Sequence, residues 1–205
     1  MIDATVFVVD DDEAMRTSLQ WLIEATGLSV QTYESADVFL ASYQHGQPGC
    51  LLLDVRMPGM NGLELQSYLT HQGYRLPVIL ITGHGDVAMA VKAMKAGAMD
   101  FIEKPFHDED LLRSIYHALA CDEKHRAGRL VRAELAQRLA ELTPREHEVM
   151  TMVTEGLSNR EIAAALKVSA KTVEAHRAHV MDKMRAESLA ELVRMALLMA
   201  PEPLL

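Results

Sequence analysis

The sequence predicts an α/β protein: a doubly wound, five-stranded parallel sheet, followed by a helical linker and a small all-α domain. Three observations carry that expectation. Five short strand-like runs begin near residues 4, 28, 50, 77 and 99, and a helical pattern follows each one. From residue 143 onward the strand signal stops, and start signals for short helices recur instead. The length, 205 residues, exceeds the ~100–150 that is usual for a single domain and leaves room for two.

Each element has a local reason. Val6-Phe7-Val8-Val9 is the first strand and ends in Asp10 and Asp11; Met15, Leu19, Leu22 and Ile23 then mark one helical face, with Gly27 as the stop. A second strand begins near residue 28, and Ser35 opens a short helix. Cys50-Leu51-Leu52-Leu53 ends in Asp54, and Gly62 precedes the third helix. Val78-Ile79-Leu80-Ile81 ends in Thr82; Asp86 opens a fourth helix that Gly97 closes. Phe101-Ile102-Glu103 ends in Lys104, and Asp108 opens a fifth helix with Leu111, Leu112, Ile115 and Leu119 on one face. Five β-α units at this spacing predict a parallel sheet covered on both sides, complete within residues 1–120.

Residues 121–142 change character. They are rich in Arg, Glu, Ala and Leu, without proline, and Leu135, Leu139 and Leu142 share a face. The expectation is a helical linker extending the fifth helix and weakened at Gly128; a solvated tether is the alternative. In residues 143–205, Thr143-Pro144-Arg145-Glu146 combines a capping threonine, a proline at the first helical position and a glutamate at the third. Ser158–Glu161 and Ser188–Glu191 repeat the Ser-x-x-Glu box, and Ser169 caps a helix expected to reach about Met184. Gly156 separates the first two helices, and the turn at Lys167-Val168 is short enough for a helix-turn-helix.

Composition narrows the class. No apolar run approaches the ~18 residues of a membrane span, and no basic-then-apolar leader is present, so no membrane segment or secretory signal is expected. Two cysteines, Cys50 and Cys121, are too few for a disulfide framework or a zinc site, which points to a reduced, cytoplasmic setting. Residues 1–120 carry 16 acids against 7 bases, whereas residues 121–205 carry 13 of each. The helix-sized basic stretch lies between Lys167 and Arg185, with Lys171, Arg177 and Lys183 set against Glu174 and Asp182.

The strand ends set out the chemistry. In an open parallel sheet, ligands bind at the carboxyl edge, and here that edge gathers Asp10, Asp11, Asp54, Thr82 and Lys104. Asp54 is the expected nucleophile, because a carboxylate accepts a phosphoryl group when the combined charge is neutralised. Three acids in one place call for a hard cation. Mg²⁺ suits Asp10, Asp11, Asp54 and the carbonyl of Arg56, with Thr82 and Lys104 left to bind phosphoryl oxygens. Gly83-His84-Gly85 lacks the spacing and lysine of a P-loop, and His107, His117, His125 and His147 lack metal-ligand spacing. Met89 and Met94 read as packing side chains.

Residues 1–120 resemble a response-regulator receiver domain, through Val9-Asp10-Asp11, Asp54-Val55-Arg56-Met57-Pro58-Gly59, Thr82-Gly83 and Lys104-Pro105-Phe106. The resemblance implies a flavodoxin-like strand order 2-1-3-4-5 and a cis Lys104–Pro105 bond. It also implies phosphorylation of Asp54 by a partner histidine kinase, with Phe101 as a switch residue reporting with Thr82. Residues 143–196 resemble the NarL/LuxR type of helix-turn-helix, through Leu142-Thr143-Pro144-Arg145-Glu146, Gly156-Leu157-Ser158-Asn159, Glu161-Ile162-Ala163, Val168-Ser169, Thr172-Val173, His176 and Lys183-Met184. On a helical wheel Val173, Val180 and Met184 face inward with His176 at the edge, while Lys171, Glu174, Ala175, Ala178 and Asp182 face a major groove. Lys171, Thr172, Arg177, His179 and Lys183 are then placed to hold phosphates. Glu174 and Ala178 stand where many members carry bases, so the target sequence stays open.

The pairing of domains implies a two-component transcription regulator, and the Gly83-His84-Gly85-Asp86 and Glu103-Lys104-Pro105-Phe106 runs look most like the nitrogen-fixation regulators. The expected partners are a histidine kinase, promoter DNA, RNA polymerase and a second copy of the chain. Val87, Val91 and Lys95 form a stripe on the fourth helix that reads either as a dimer surface or as ordinary packing on the sheet. A NarL-type regulator of another pathway is the alternative reading. An aspartyl-phosphate phosphatase is disfavoured, because Arg56 stands where such an enzyme needs a second acid. A phosphorylation-independent binding protein is disfavoured by the intact acidic set.

Overall fold

The computed structural model describes residues 4–83 and 87–199. The predicted opening of the fourth helix at Asp86, the loop residues His84 and Gly85, and residues 200–205 lie outside the described residues. The chain divides into two units, Met1–Arg126 and Ala127–Leu205.

The first unit alternates strand and helix: β1 (Thr5–Val9), α1 (Glu13–Glu24), β2 (Ser29–Tyr33), α2 (Ala36–Ser42), β3 (Gly49–Asp54), α3 (Gly62–His71), β4 (Val78–Thr82), α4 (Val87–Lys95), β5 (Asp100–Glu103) and the start of α5 (Asp108–Ala140). The five strands form one parallel sheet in the order β2-β1-β3-β4-β5. Apolar side chains alternate between its two faces. Phe7, Val9, Leu51, Leu53 and Leu80 pack with Phe39, Leu65 and Ala93 of α2, α3 and α4. Val6, Val8, Leu52, Ile79 and Ile81 pack instead with Leu19 and Ile23 of α1 and Leu111 and Ile115 of α5. Both faces are covered, which is why β1, β3 and β4 read as nearly unbroken apolar runs and not as an alternating pattern.

The helix boundaries have chemical causes. Asp12 caps α1, its carboxylate accepting from the N–H groups of Ala14 and Met15, and Ser35 caps α2. Asn61 caps α3 in a reciprocal box with Glu64. Gly62, expected to precede α3, is its first residue. It is small by necessity: a Cβ there would come within 2.3 Å of the Asp54 carbonyl oxygen. Of the two α4 methionines read as packing, Met89 does pack on the core, but Met94 is about half exposed. That helix buries only Ala93 fully, so a narrow stripe suffices to seat it.

Helix α5 runs unbroken through Gly128 for 33 residues, and the division into units falls inside it. The second unit continues with α6 (Pro144–Thr154), α7 (Asn159–Leu166), α8 (Ala170–Met184) and α9 (Leu189–Met199). Its core joins Val149, Val153, Ile162, Val173, Val180 and Leu192 with Leu135, so the segment read as a linker supplies core residues. Thr143–Glu146 and Ser158–Glu161 form complete capping boxes, and Ser169 caps α8. At α9 only half of the box forms. Glu191 N–H donates to Ser188 Oγ at 3.2 Å, while the Glu191 carboxylate turns to the N–H of Glu187.

Candidate functional site

Register places the carboxyl ends of the strands side by side. Val9 pairs with Leu53, Asp54 with Ile81 and Thr82 with Glu103, so Asp10, Asp54, Thr82 and Lys104 step along one edge. Asp10, Asp54 and Thr82 are buried, at 3 %, 7 % and 0 % exposure, whereas Asp11 is exposed. Lys104 reaches from the end of β5 to bridge two acids, with Nζ 2.7 Å from Asp54 Oδ1 and 2.9 Å from Asp10 Oδ2. The remaining oxygens are also held. Asp54 Oδ2 accepts from the Arg56 N–H at 2.6 Å, and Asp10 Oδ1 accepts from the Asp12 N–H at 2.9 Å. The backbone on both sides is tied as well, because Lys104 N–H donates to the Thr82 carbonyl and Val55 N–H to that of Ile81. The Lys104–Pro105 peptide is cis, as the receiver resemblance implies.

Charge is imbalanced in this pocket. Burial raises the pKa of Asp54, and its hydrogen bond and attraction to Lys104 only partly offset that, with the nearby Asp10 adding to the rise. Burial alone would lower Lys104, but its hydrogen bonds to Asp54 and Asp10 win and raise it. A salt bridge between equals would move its partners in opposite senses. Here burial outweighs the ammonium at Asp54, while two carboxylates hold the proton on Lys104, so both shifts point upward. An added cation has a place in such a site. The donors are all oxygens, the set a hard divalent ion such as Mg²⁺ prefers. Two of the acids already converge on Lys104, although Asp10, Asp11 and Asp54 do not draw together within 4.8 Å of one another among the described residues. Phe101, the expected switch residue, is half-buried and packs against the core on the α2–α3–α4 face. Val87 and Val91 are 82 % and 46 % exposed and Lys95 is exposed, so this stripe does not pack on the sheet.

In the second unit, α7 and α8 are joined by Lys167-Val168-Ser169, with Lys167 in a left-handed conformation at φ 54°. Val173, Val180 and Met184 are buried and His176 is half-buried. Lys171, Thr172, Glu174, Ala175, Ala178, His179 and Asp182 are exposed. Two residues of the basic set are tethered instead. Arg177 Nη1 donates to Asn159 Oδ1 at 2.7 Å, and Lys183 Nζ donates to Glu146 Oε2 at 2.6 Å and to the Glu141 carbonyl at 3.1 Å. Sequence reasoning took Glu146 as a cap alone; its pairing with a lysine 37 residues away leaves no local signal.

Comparisons with known proteins agree with this architecture. Residues 6–116 match the response regulator receiver domain, and residues 140–196 match the luxR family of bacterial regulatory proteins. The chain is 46 % identical over 198 residues to the transcriptional regulatory protein FixJ of Azorhizobium caulinodans, covering 97 % of this chain and 94 % of that protein. It is 46 % identical over 193 residues to nodulation protein W of Bradyrhizobium diazoefficiens, covering 94 % and 85 %. Among solved structures, the response regulator StyR aligns at a TM-score of 0.84 with 42 % identity, over 95 % of this chain and 98 % of that one. The chain therefore belongs to the two-component response regulators that join a receiver domain to a luxR-type, helix-turn-helix DNA-binding domain.

Proposed function

We propose that this chain is a transcription regulator switched by phosphorylation of Asp54. The observation that carries the reading is the Asp54 carboxylate, buried at the sheet edge with Lys104 Nζ on one oxygen and the Arg56 N–H on the other. A phosphohistidine on a partner kinase is the natural donor. An Asp54 oxygen forms the new O–P bond as the N–P bond breaks, and the electron pair returns to the leaving imidazole. Lys104 then exchanges carboxylate for phosphoryl oxygen, and the Thr82 hydroxyl donates to another. Asp10, Asp11, Asp54 and the Arg56 carbonyl would hold Mg²⁺, which when bound offsets the negative charge of the phosphoryl group. Phe101, beside α4 on β5, follows Thr82.

The output is promoter DNA binding by a dimer, with RNA polymerase as the downstream partner and the cytoplasm as the setting. The exposed stripe of Val87, Val91 and Lys95 supports pairing of two receivers, because apolar side chains this open gain by being covered. On α8, Lys171, Thr172, Glu174, Ala175, Ala178 and His179 present the face that would meet DNA. Arg177 and Lys183 lie at its margin, where they hold the helix in place through Asn159 and Glu146. Control of nitrogen-fixation genes is supported by the FixJ relative. A regulator of another pathway is favoured to the same degree by the equal identity to nodulation protein W.

Incubation with Mg²⁺ and acetyl phosphate should add one phosphoryl mass to the wild type and none to Asp54→Asn. Sedimentation of the same samples should show a dimer only in the phosphorylated protein. Equal modification and activation of Asp54→Asn would remove the assignment.

A further inference from the structure

We propose that Glu146, His176 and His179 form a site for a divalent transition metal of the zinc class, bridging α6 and α8. Among the described residues, these three side chains bring their ligand atoms within 4.8 Å of one another. The carboxylate is already divided between two tasks. Glu146 Oε2 accepts from Lys183 Nζ at 2.6 Å and from the Thr143 N–H at 2.8 Å. Oε1 instead lies 3.5 Å from His179 Nδ1. Lys183 thus fixes the carboxylate without covering the oxygen that turns toward the imidazole.

The scaffold suits a metal. His176 and His179 are three residues apart on α8 and share a face, the spacing that helical metal sites use. Both ligand-bearing helices are anchored by buried side chains, Val149 and Val153 on α6 and Val173 and Val180 on α8. Two imidazoles and one carboxylate select zinc, nickel or copper over magnesium, and three protein ligands leave a fourth position for water. The pocket around Asp54 offers oxygen donors only, so the two sites differ in the metal they prefer. This inference deepens the DNA-contact reading above, on which one consequence rests: a bound metal takes His179 out of the set that meets DNA.

The competing explanation is an imidazolium–carboxylate pair between His179 and Glu146. Metal-free, full-length protein in excess Mg²⁺, without DNA, should bind one equivalent of Zn²⁺ by calorimetry. With Co²⁺ it should develop the visible absorption of a tetrahedral ion. His176→Asn and His179→Asn should each abolish both signals. His179→Lys keeps a cation opposite Glu146 and cannot ligate, so it too should lose zinc. Because the His179 side chain is 66 % exposed, these changes at position 179 leave the core untouched. Binding that survives in the histidine variants, or its absence from the wild type, overturns the site. Neither result bears on DNA contact, which is read separately.

Discussion

Each half of the molecule contains a carboxylate–lysine pair at close range, and the two pairs behave oppositely. At the sheet edge, Lys104 serves both Asp10 and Asp54, and burial leaves the Asp54 carboxyl above its ordinary range. Between α6 and α8, Lys183 serves one acid. Its hydrogen bond, joined by the Thr143 N–H, pulls Glu146 down to about 2. One ammonium faces one carboxylate in the second case and two in the first. A buried carboxylate that shares one lysine has something to gain from an incoming cation or phosphoryl transfer, whereas one with a lysine of its own stays ionised and keeps its second oxygen turned toward His179.

The largest contrast is expected from removing each lysine. Lys104→Ala leaves two buried carboxylates facing each other and should cost the receiver on the order of 3 kcal/mol. Mg²⁺ should restore much of that stability without restoring phosphorylation-dependent dimerisation. Lys183→Ala should lower the melting temperature of the second unit alone, and Mg²⁺ should not rescue it. Calorimetry with and without Mg²⁺ reads both outcomes; identical Mg²⁺ responses would erase the distinction.

Gly62→Ala tests how closely the pocket is tied to α3. Its Cβ would press on the Asp54 carbonyl, so a loss of about 1–3 kcal/mol is expected together with slower phosphorylation. Slow modification at unchanged stability would show that the backbone yields more easily than the contact suggests.

Acid titration separates the pairs by sign. Glu146 is depressed in the folded state, so its stabilisation is present above the ordinary glutamate range and is lost as pH falls through about 2. Asp54 is raised, so its contribution is complete below the unfolded aspartate value and is lost as pH rises through its folded one. Asp54→Asn should therefore gain on the wild type as pH climbs through the acid range, and Glu146→Gln should lose. Thermal melts across that range check both slopes.

The smallest effect is expected at the turn before α8. Lys167 holds a left-handed backbone, so Lys167→Gly should stabilise the second unit by up to about 1 kcal/mol. The greater freedom of glycine in the unfolded chain offsets part of the gain, and chemical denaturation measures the remainder.

Much of the fold was legible because its causes are local. Apolar runs of strand length, Gly27 and Gly97 at helix ends, and the boxes at Thr143 and Ser158 each depend on neighbours a few residues away. Asp54, Thr82 and Lys104 could be paired in advance because a parallel sheet brings every strand end to one edge. Other features had no local trace. Met94 turned outward where packing was expected. Leu135 joined a core whose other members begin at Val149.

Sequence alone determined the order of elements, the order of their chemistry along the chain and the capping of most helices, since apolar spacing sets the first two and hydrogen bonds to nearby backbone set the third. Only the tertiary structure decided how charge is divided. Whether a lysine meets one carboxylate or two depends on where long side chains end after separate helices and strands have packed. That sum of distant placements left Asp54 to share a lysine with Asp10, gave Glu146 a lysine of its own, and set His176 and His179 beside Glu146.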